Sequence, residues 1–379
     1  MIPLAVPNLA GKEADYLKEC IETTFVSSVG PFVTRFEEMV ARASGTDHAV
    51  ATSAGTTGLH AALVAVGVER DDLVVMPSFT FIATANAVAH CGATPWLFDV
   101  AAESWTIDPL LLATELATTT GRKDGRLVHK DTGRTVAAIM PVFTLGMPAD
   151  MDPILAVARE HDLPVVVDAA AALGATYKGR QVANLGADLT VFSFNGNKTV
   201  TAGGGGAVAG ADSALVQLVR HLSTTARVGN DYHHDRVGFN YRMTNIAAAV
   251  GCAQMERLDE FIEAKRRVQS VYNQAFGKLP GVGVFPAPAW AEGVCWLSGI
   301  TLADAVSAAT LRDRLREGGV DARPFWKPIH LQPPFADSPM TRQPVTDDIW
   351  SRIVTLPCST GVTDAEVSHV IEIVRSALC

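Results

Sequence analysis

Apolar and polar positions along the chain alternate between two periods. Short apolar runs bounded by Gly, Pro or polar residues predict buried strands at HAVAT (His48 to Thr52), Leu73 to Pro77, TPWLFDV (94–100), TVAAIMPV (135–142), LPVVVD (163–168) and LTVFSF (189–194). Helical spacing falls between them, over 12–26, from near Pro31 to near Gly45, through LHAALVAVG, and over 108–118 and 150–161. The polar insert GRKDGRLVHKDTGR reads as an exposed hairpin. This β/α alternation predicts an α/β fold with a mainly parallel sheet covered by helices, and such sheets gather ligands at the carboxyl ends of their strands.

Beyond residue 200 the rhythm changes. Residues 212–226 read as a helix, RVGNDYHHDRVGFNYRM as a polar loop, and a long apolar-periodic helix begins near Asn245. From about residue 265 two strands (VGVFPA, CWLSGITL) and two helices (304–318 and 364–377) suggest a smaller α+β unit. The expected division is 1–264 for a large α/β domain and 265–379 for the small one, a size the 379-residue chain readily supports.

Composition narrows the class. Hydrophobic content of 48% against 19% charged residues, with no Pro/Ser/Gly-rich linker, fits a compact enzyme-like body. A net charge of −9 with no long basic face argues against nucleic acid as partner. Cys20, Cys91, Cys252, Cys295, Cys358 and Cys379 form no CxxC or Cys/His pattern, so free thiols and no metal site are expected. The N-terminal segment shows no basic leader and no stretch resembles a membrane span, which predicts a cytoplasmic protein.

The candidate chemistry gathers between Leu163 and Gly206. The run LPVVVDA would deliver Asp168 to the crevice at the end of an inner strand, and Lys198 follows the strand LTVFSF and precedes four glycines. On spacing alone an ordinary ion pair or a solvated lysine is the commoner outcome. An aspartate, a lysine and a Ser/Gly environment suited to phosphate also match the needs of pyridoxal phosphate, in which a lysine amine takes the aldehyde and a carboxylate keeps the ring nitrogen protonated. Gly55 and Thr56 open a helix after a Gly/Ser/Thr turn, where free N–H groups meet the positive end of the helix dipole, although capped helix starts of this composition are common. Phe81, in PSFTF just past a strand end, could stack on a flat ring or fill the core.

The run SFNGNKTVTAGGGG, preceded by DAAAALGATYKG, resembles the DegT/StrS type of nucleotide-sugar aminotransferase within pyridoxal phosphate fold type I, the aspartate aminotransferase-like fold, and the resemblance covers most of the chain. It implies that Lys198 carries the coenzyme and shuttles the proton, that Asp168 meets the ring nitrogen, that Gly55, Thr56 and Ser193 bind the phosphate, and that Phe81 lies over the ring. In that family the GFNYRM segment lies at a dimer interface, which implies that Asn240 reaches the phosphate in the neighbouring subunit and that a homodimer shares its active sites. RPFWKPIHLQ resembles a substrate-side segment, which makes His330 and Arg323 candidates for the sugar nucleotide. The implied reaction takes an amino group from L-glutamate to a nucleotide-linked 4-keto-6-deoxy sugar for surface-polysaccharide or amino-sugar biosynthesis.

Two departures stand out. Ala171 occupies a position where the family often has Gln or Glu, and Gly203 to Gly206 replace the common GEGG. The FNGNK and GGGG wording, the hairpin insert and RPFWKPIHLQP look most like the branch making 4-amino-4,6-dideoxyhexoses of the legionaminic type. Amination of a 3-keto sugar, a coenzyme-binding regulatory or sensor protein, a nonenzymatic binding module, and a sugar dehydratase (which in this family carries histidine for the lysine) are the rival readings.

Overall fold

The structure is a computed structural model that describes residues 1–378. Its centre is a seven-stranded sheet built from β1 (His48–Thr52), β2 (Leu73–Pro77), β3 (Thr94–Phe98), β4 (Val136–Ile139), β5 (Val166–Asp168), β6 (Leu189–Ser193) and β7 (Gly206–Gly210). The spatial order is β3-β2-β4-β5-β6-β7-β1, with β4 joined to β5 through the parallel bridges Ile139–Val165 and Val142–Asp168. β7 alone runs against its neighbours, pairing antiparallel with both β6 and β1. The expected mainly parallel sheet therefore forms with one reversal. It occurs where the chain passes from β6 to β7 through the lysine loop instead of a crossover helix, and a parallel return would need that longer connection.

Because side chains alternate along a strand, the two faces of the sheet feed two different cores. Val74, Met76, Leu97, Val166, Val191 and Val208 pack into one, and Leu73, Val75, Phe98, Val167, Phe192 and Ala207 into the other. Burial on both faces explains why these strands read as continuous apolar runs. The polar insert folds as the expected hairpin, Thr120–Lys123 against Arg126–His129.

The long helix expected from Asn245 is two helices, Asn245–Met255 and Leu258–Phe276, broken where the Glu256 carboxylate accepts from Tyr16 and Arg35. The second helix carries the chain straight across residue 264, where the two-domain division was drawn. Beyond it, Gly283–Val284, Ser298–Thr301 and Ile353–Leu356 make an antiparallel sheet, flanked by the helices Ala305–Glu317 and Asp364–Leu378. Two segments tie the halves together. The N-terminus joins the small sheet side through the Ile2–Val320 bridge and the Cys358 N–H donating to Leu4 O at 2.8 Å. In return, Pro339 to Thr341 pairs along the outer edge of β3, and Asp99 accepts from the Val345 and Thr346 N–H groups at 2.8 Å each.

Among the described residues, no helix is long and apolar enough to cross a membrane, and no group of three or more His, Cys, Asp or Glu is placed to hold a metal. The five described cysteines are free thiols, and Cys379 lies outside the described residues.

Candidate active site

A cavity of about 340 Å³ opens at the carboxyl ends of the strands, and Gly55, Thr56, Phe81, Asp168, Ser193 and Lys198 all line it. These residues come from separate segments between residues 55 and 198, and the sheet order brings them together. Gly55 and Thr56 begin the helix Gly55–Ala65 directly after β1, Ser193 closes β6, and Asp168 closes β5. Gly55 must be small here: a Cβ on it would lie 2.9 Å from Ser193 Cβ. Gly206 is held to the same rule, since a Cβ there would lie 2.5 Å from Ala54 O. The close approach sets the free N–H groups of a helix start beside the Ser193 hydroxyl, a cradle for an anion.

Asp168 is 5% exposed, and its carboxylate is firmly positioned. Thr84 Oγ1 donates to Oδ2 at 2.7 Å, and the Ala170 N–H donates to Oδ1 at 3.1 Å. A hydroxyl has one proton; with that of Thr84 committed to the carboxylate, its 2.9 Å contact with Thr80 Oγ1 makes Thr80 the donor. Burial pushes the Asp168 carboxyl above its ordinary range, while Thr84, the Ala170 N–H and the charge of Lys198 oppose the rise. A cation brought to this carboxylate would favour the ionised form further.

Lys198 follows β6 in the loop Asn195 to Gly205, which is pinned by Phe194 N–H to Gly205 O and Ala202 N–H to Phe194 O, both 2.9 Å. Its amine sits 3.6 Å from the centroid of the Trp296 ring. Desolvation lowers its pKa to about 8, against an upward pull from Asp168. Among the described residues no ion pair joins Lys198 to Asp168 or to any other acid, which removes the simple ion-pair reading. The two groups instead face a common space.

Phe81 is 54% exposed, so it is no core residue, and it meets Trp326 at 6.0 Å between ring centroids. Trp326 lies 5.8 Å from Trp296, and the three rings make an aromatic wall on the cavity. Trp296 is fixed from behind: its indole N–H donates to Asn197 O at 2.6 Å, and the buried Lys265 amine donates to its carbonyl at 2.9 Å and to Cys358 O at 3.0 Å. Sequence reasoning missed Trp296, Thr84 and Thr144. Trp296 lies almost a hundred residues beyond the lysine, on a segment read as a plain strand, and Thr84 lies within an ordinary apolar helix.

Three expected site residues lie outside this cavity. His330 is enclosed, with Nδ1 2.7 Å from Ser78 Oγ and Nε2 3.0 Å from Asp347 Oδ1, so both ring nitrogens are already engaged within the protein. Arg323 is exposed and clasps Asp321 through two bonds of 3.0 and 2.9 Å. Asn240 is exposed on the segment between Phe239 and Tyr241, paired through its backbone with Thr224. Its flanking rings are anchored, since His60 lies 4.6 Å from Phe239 between ring centroids and its Nδ1 is 3.1 Å from the Tyr241 hydroxyl.

Residues 7–375 match the DegT/DnrJ/EryC1/StrS aminotransferase family along almost the whole chain. The chain belongs to that family. A GDP-perosamine synthase of Caulobacter vibrioides is 40% identical over 376 residues, covering 98% of this chain and 96% of its own. DesV of S. venezuelae, solved in complex with a ketimine intermediate, superposes with a TM-score of 0.86 at 29% identity, covering 96% of this chain and 94% of its own. DesI, solved in the presence of its TDP-sugar product, superposes with a TM-score of 0.87 at 29% identity, covering all of this chain and 92% of its own.

The family works with pyridoxal phosphate, as fold type I implies. The residues of this cavity fit that coenzyme. They present a buried acid for the ring nitrogen, an amine held away from that acid, a helix start with a hydroxyl for the phosphate, and a half-exposed phenyl ring. The cavity of this aminotransferase thus lies on the sheet's carboxyl edge, where the α/β alternation leads one to expect a ligand.

Proposed function

We propose that this aminotransferase moves an amino group from L-glutamate to C4 of a nucleotide-linked 4-keto-6-deoxy hexose, with GDP as the favoured carrier. The GDP-perosamine synthase named above, at 40% identity over nearly the full chain, supports the substrate class. The observation that carries the reading is that Asp168 and Lys198 line one cavity without forming an ion pair with each other.

When bound, pyridoxal phosphate supplies an aldehyde that captures amines and a ring that accepts the electron pair released at the substrate carbon. Lys198 would hold the aldehyde carbon, and its free amine, with a pKa that desolvation lowers to about 8, would take the proton from the substrate's amine-bearing carbon. Asp168 holds the proton on the ring nitrogen, and Thr84 and the Ala170 N–H keep its carboxylate aimed there. Gly55, Thr56 and Ser193 would hold the phosphate, and Phe81 would cover the ring. Trp296 and Trp326 keep water from the amine.

We further propose a cytoplasmic homodimer in which Asn240 reaches the neighbouring subunit's phosphate. Asn240 stands next to a strongly exposed segment that includes Val237 and Tyr232, 84% and 90% exposed, which a second copy would cover. Free thiols at the five described cysteines suit a reducing compartment. His330 and Arg323 belong to the segment that carries Trp326 to the cavity.

The test uses the coenzyme-loaded protein. Glutamate should bleach its visible absorbance, and a GDP-linked 4-keto-6-deoxy hexose should restore it with an amine at C4 by NMR. Bleaching by glutamate with no turnover of any nucleotide keto sugar would sink the substrate assignment, and amination at C3 would overturn the regiochemistry.

A further inference from the structure

The Thr144 hydroxyl is buried, with the residue 2% exposed, and makes no hydrogen bond in the protein. It is one of six such side-chain atoms among the described residues, and the one that lines the active-site cavity. Leaving a buried hydroxyl without a partner is unfavourable, and native proteins rarely do so without a ligand or water to satisfy it.

Its location follows from the sheet. Val142 bridges to Asp168, and the Phe143 N–H donates to Asp168 O at 2.9 Å, so Thr144 follows the segment that continues β4 alongside the Asp168 strand. Leu145 and Gly146 then take positive φ angles of 58° and 85°, folding the loop back against the turn after Asp168. The contact is tight, for a Cβ on Gly146 would lie 2.6 Å from Ala171 O. Ala170 and Ala171 both line the cavity on this side and offer no side-chain polar atom.

The geometry points to Thr144 as the donor to the oxygen on carbon 3 of the coenzyme's pyridine ring. It rests on the coenzyme seating proposed above. With the ring nitrogen at Asp168 and the phosphate at Gly55, Thr56 and Ser193, the ring's carbon-3 oxygen must point away from the phosphate side. Gly55 and Thr56 open the helix after β1, Ser193 ends β6, Asp168 ends β5, and Thr144 follows β4 on the other side of β5 from β6. A single hydroxyl there completes the set of polar contacts around the ring, with its proton given to the ring oxygen. Thr144 is accordingly a cofactor-positioning residue that no side chain at 171 duplicates.

The experiment titrates pyridoxal phosphate into the coenzyme-free wild-type protein and its Thr144→Val and Thr144→Ser forms, following affinity and the pH midpoint of the visible band. Thr144→Val keeps the volume and should weaken affinity roughly tenfold, the scale of one hydrogen bond to a polar ligand. It should also raise the pH midpoint, because an oxygen that loses its donor becomes more basic; Thr144→Ser should restore both values. Unchanged affinity and midpoint in Thr144→Val would overturn the assignment while leaving the seating intact. Failure of wild-type protein to bind the coenzyme would sink the seating and this assignment together. If Thr144→Val does not fold, a crystal structure of the loaded wild type decides: the ring oxygen within hydrogen-bond reach of Thr144 Oγ1 supports the assignment, and a water or another residue in that place overturns it.

Discussion

The Lys198 amine rests 3.6 Å from the centre of the Trp296 ring and nevertheless has its pKa lowered to about 8. A ring face attracts a cation by about 0.5–2 kcal/mol, which favours the charged amine, so loss of water outweighs both that attraction and the pull of Asp168. The pairing thus serves to dry the amine more than to hold its charge.

A pH dependence follows. The coenzyme condenses with the neutral amine, so its rate of attachment to the coenzyme-free protein should rise with pH with a midpoint near 8 and level off above it, well below the 10.5 of an ordinary lysine. The sign for stability agrees: with the folded pKa depressed, this group's contribution is present above pH 10.5 and is lost as pH falls through about 8. Stopped-flow absorbance across roughly pH 6.5 to 10.5, which brackets the lowered value of about 8 and reaches the ordinary one, reads the midpoint; a rate still climbing at the top of that range contradicts the desolvated amine.

Trp296 can be divided into its two roles. Trp296→Phe keeps a ring over the amine but deletes the donor to Asn197 O, and should cost about 1 kcal/mol of stability with a nearly unchanged attachment midpoint. Trp296→Ala opens the wall, should cost about 3–5 kcal/mol, and should move the midpoint upward as water reaches the amine. Thermal unfolding with the same stopped-flow measurement separates the two variants.

Thr84→Val removes the hydroxyl proton from Asp168 Oδ2, one of the groups that opposes the rise of the buried carboxyl. The carboxyl should rise further, and retention of the coenzyme should weaken roughly tenfold, with the acid limb of the pH–activity profile moving to higher pH. Dialysis against buffer followed by absorbance checks the first effect, and initial rates across pH the second.

His330 bonds Ser78 and Asp347, so His330→Ala should act on stability rather than on substrate. Loss of about 1–3 kcal/mol in urea unfolding is expected, with KM for the sugar nucleotide changed by less than about twofold. A large rise in KM at unchanged stability would restore a direct contact with substrate.

The sheet was legible because its strands are buried on both faces and announce themselves as unbroken apolar runs, as with Leu73–Pro77. Asp168, Ser193, Gly55 and Lys198 were legible because they lie at or just past strand ends, on the carboxyl edge, and because the motif around Lys198 resembles the family's; spacing alone favoured an ion pair. What escaped detection depends on distant pairing. Trp296 gains its place from Lys265 and Cys358, Thr84 from a carboxylate 84 residues away, and the reversal of β7 from the length of a loop. His330 was misplaced for the opposite reason: its Pro- and aromatic-rich setting looks like an open loop, whereas Ile329 is wholly buried and draws the histidine inward.

The indole that shields Lys198 is fastened by the buried Lys265 amine, which donates to the carbonyls of both Trp296 and Cys358. A lysine far from the cavity in sequence thus governs how dry the reactive lysine is. Loss of the Lys265 amine would leave two buried carbonyls without a donor and loosen the ring that lies over Lys198.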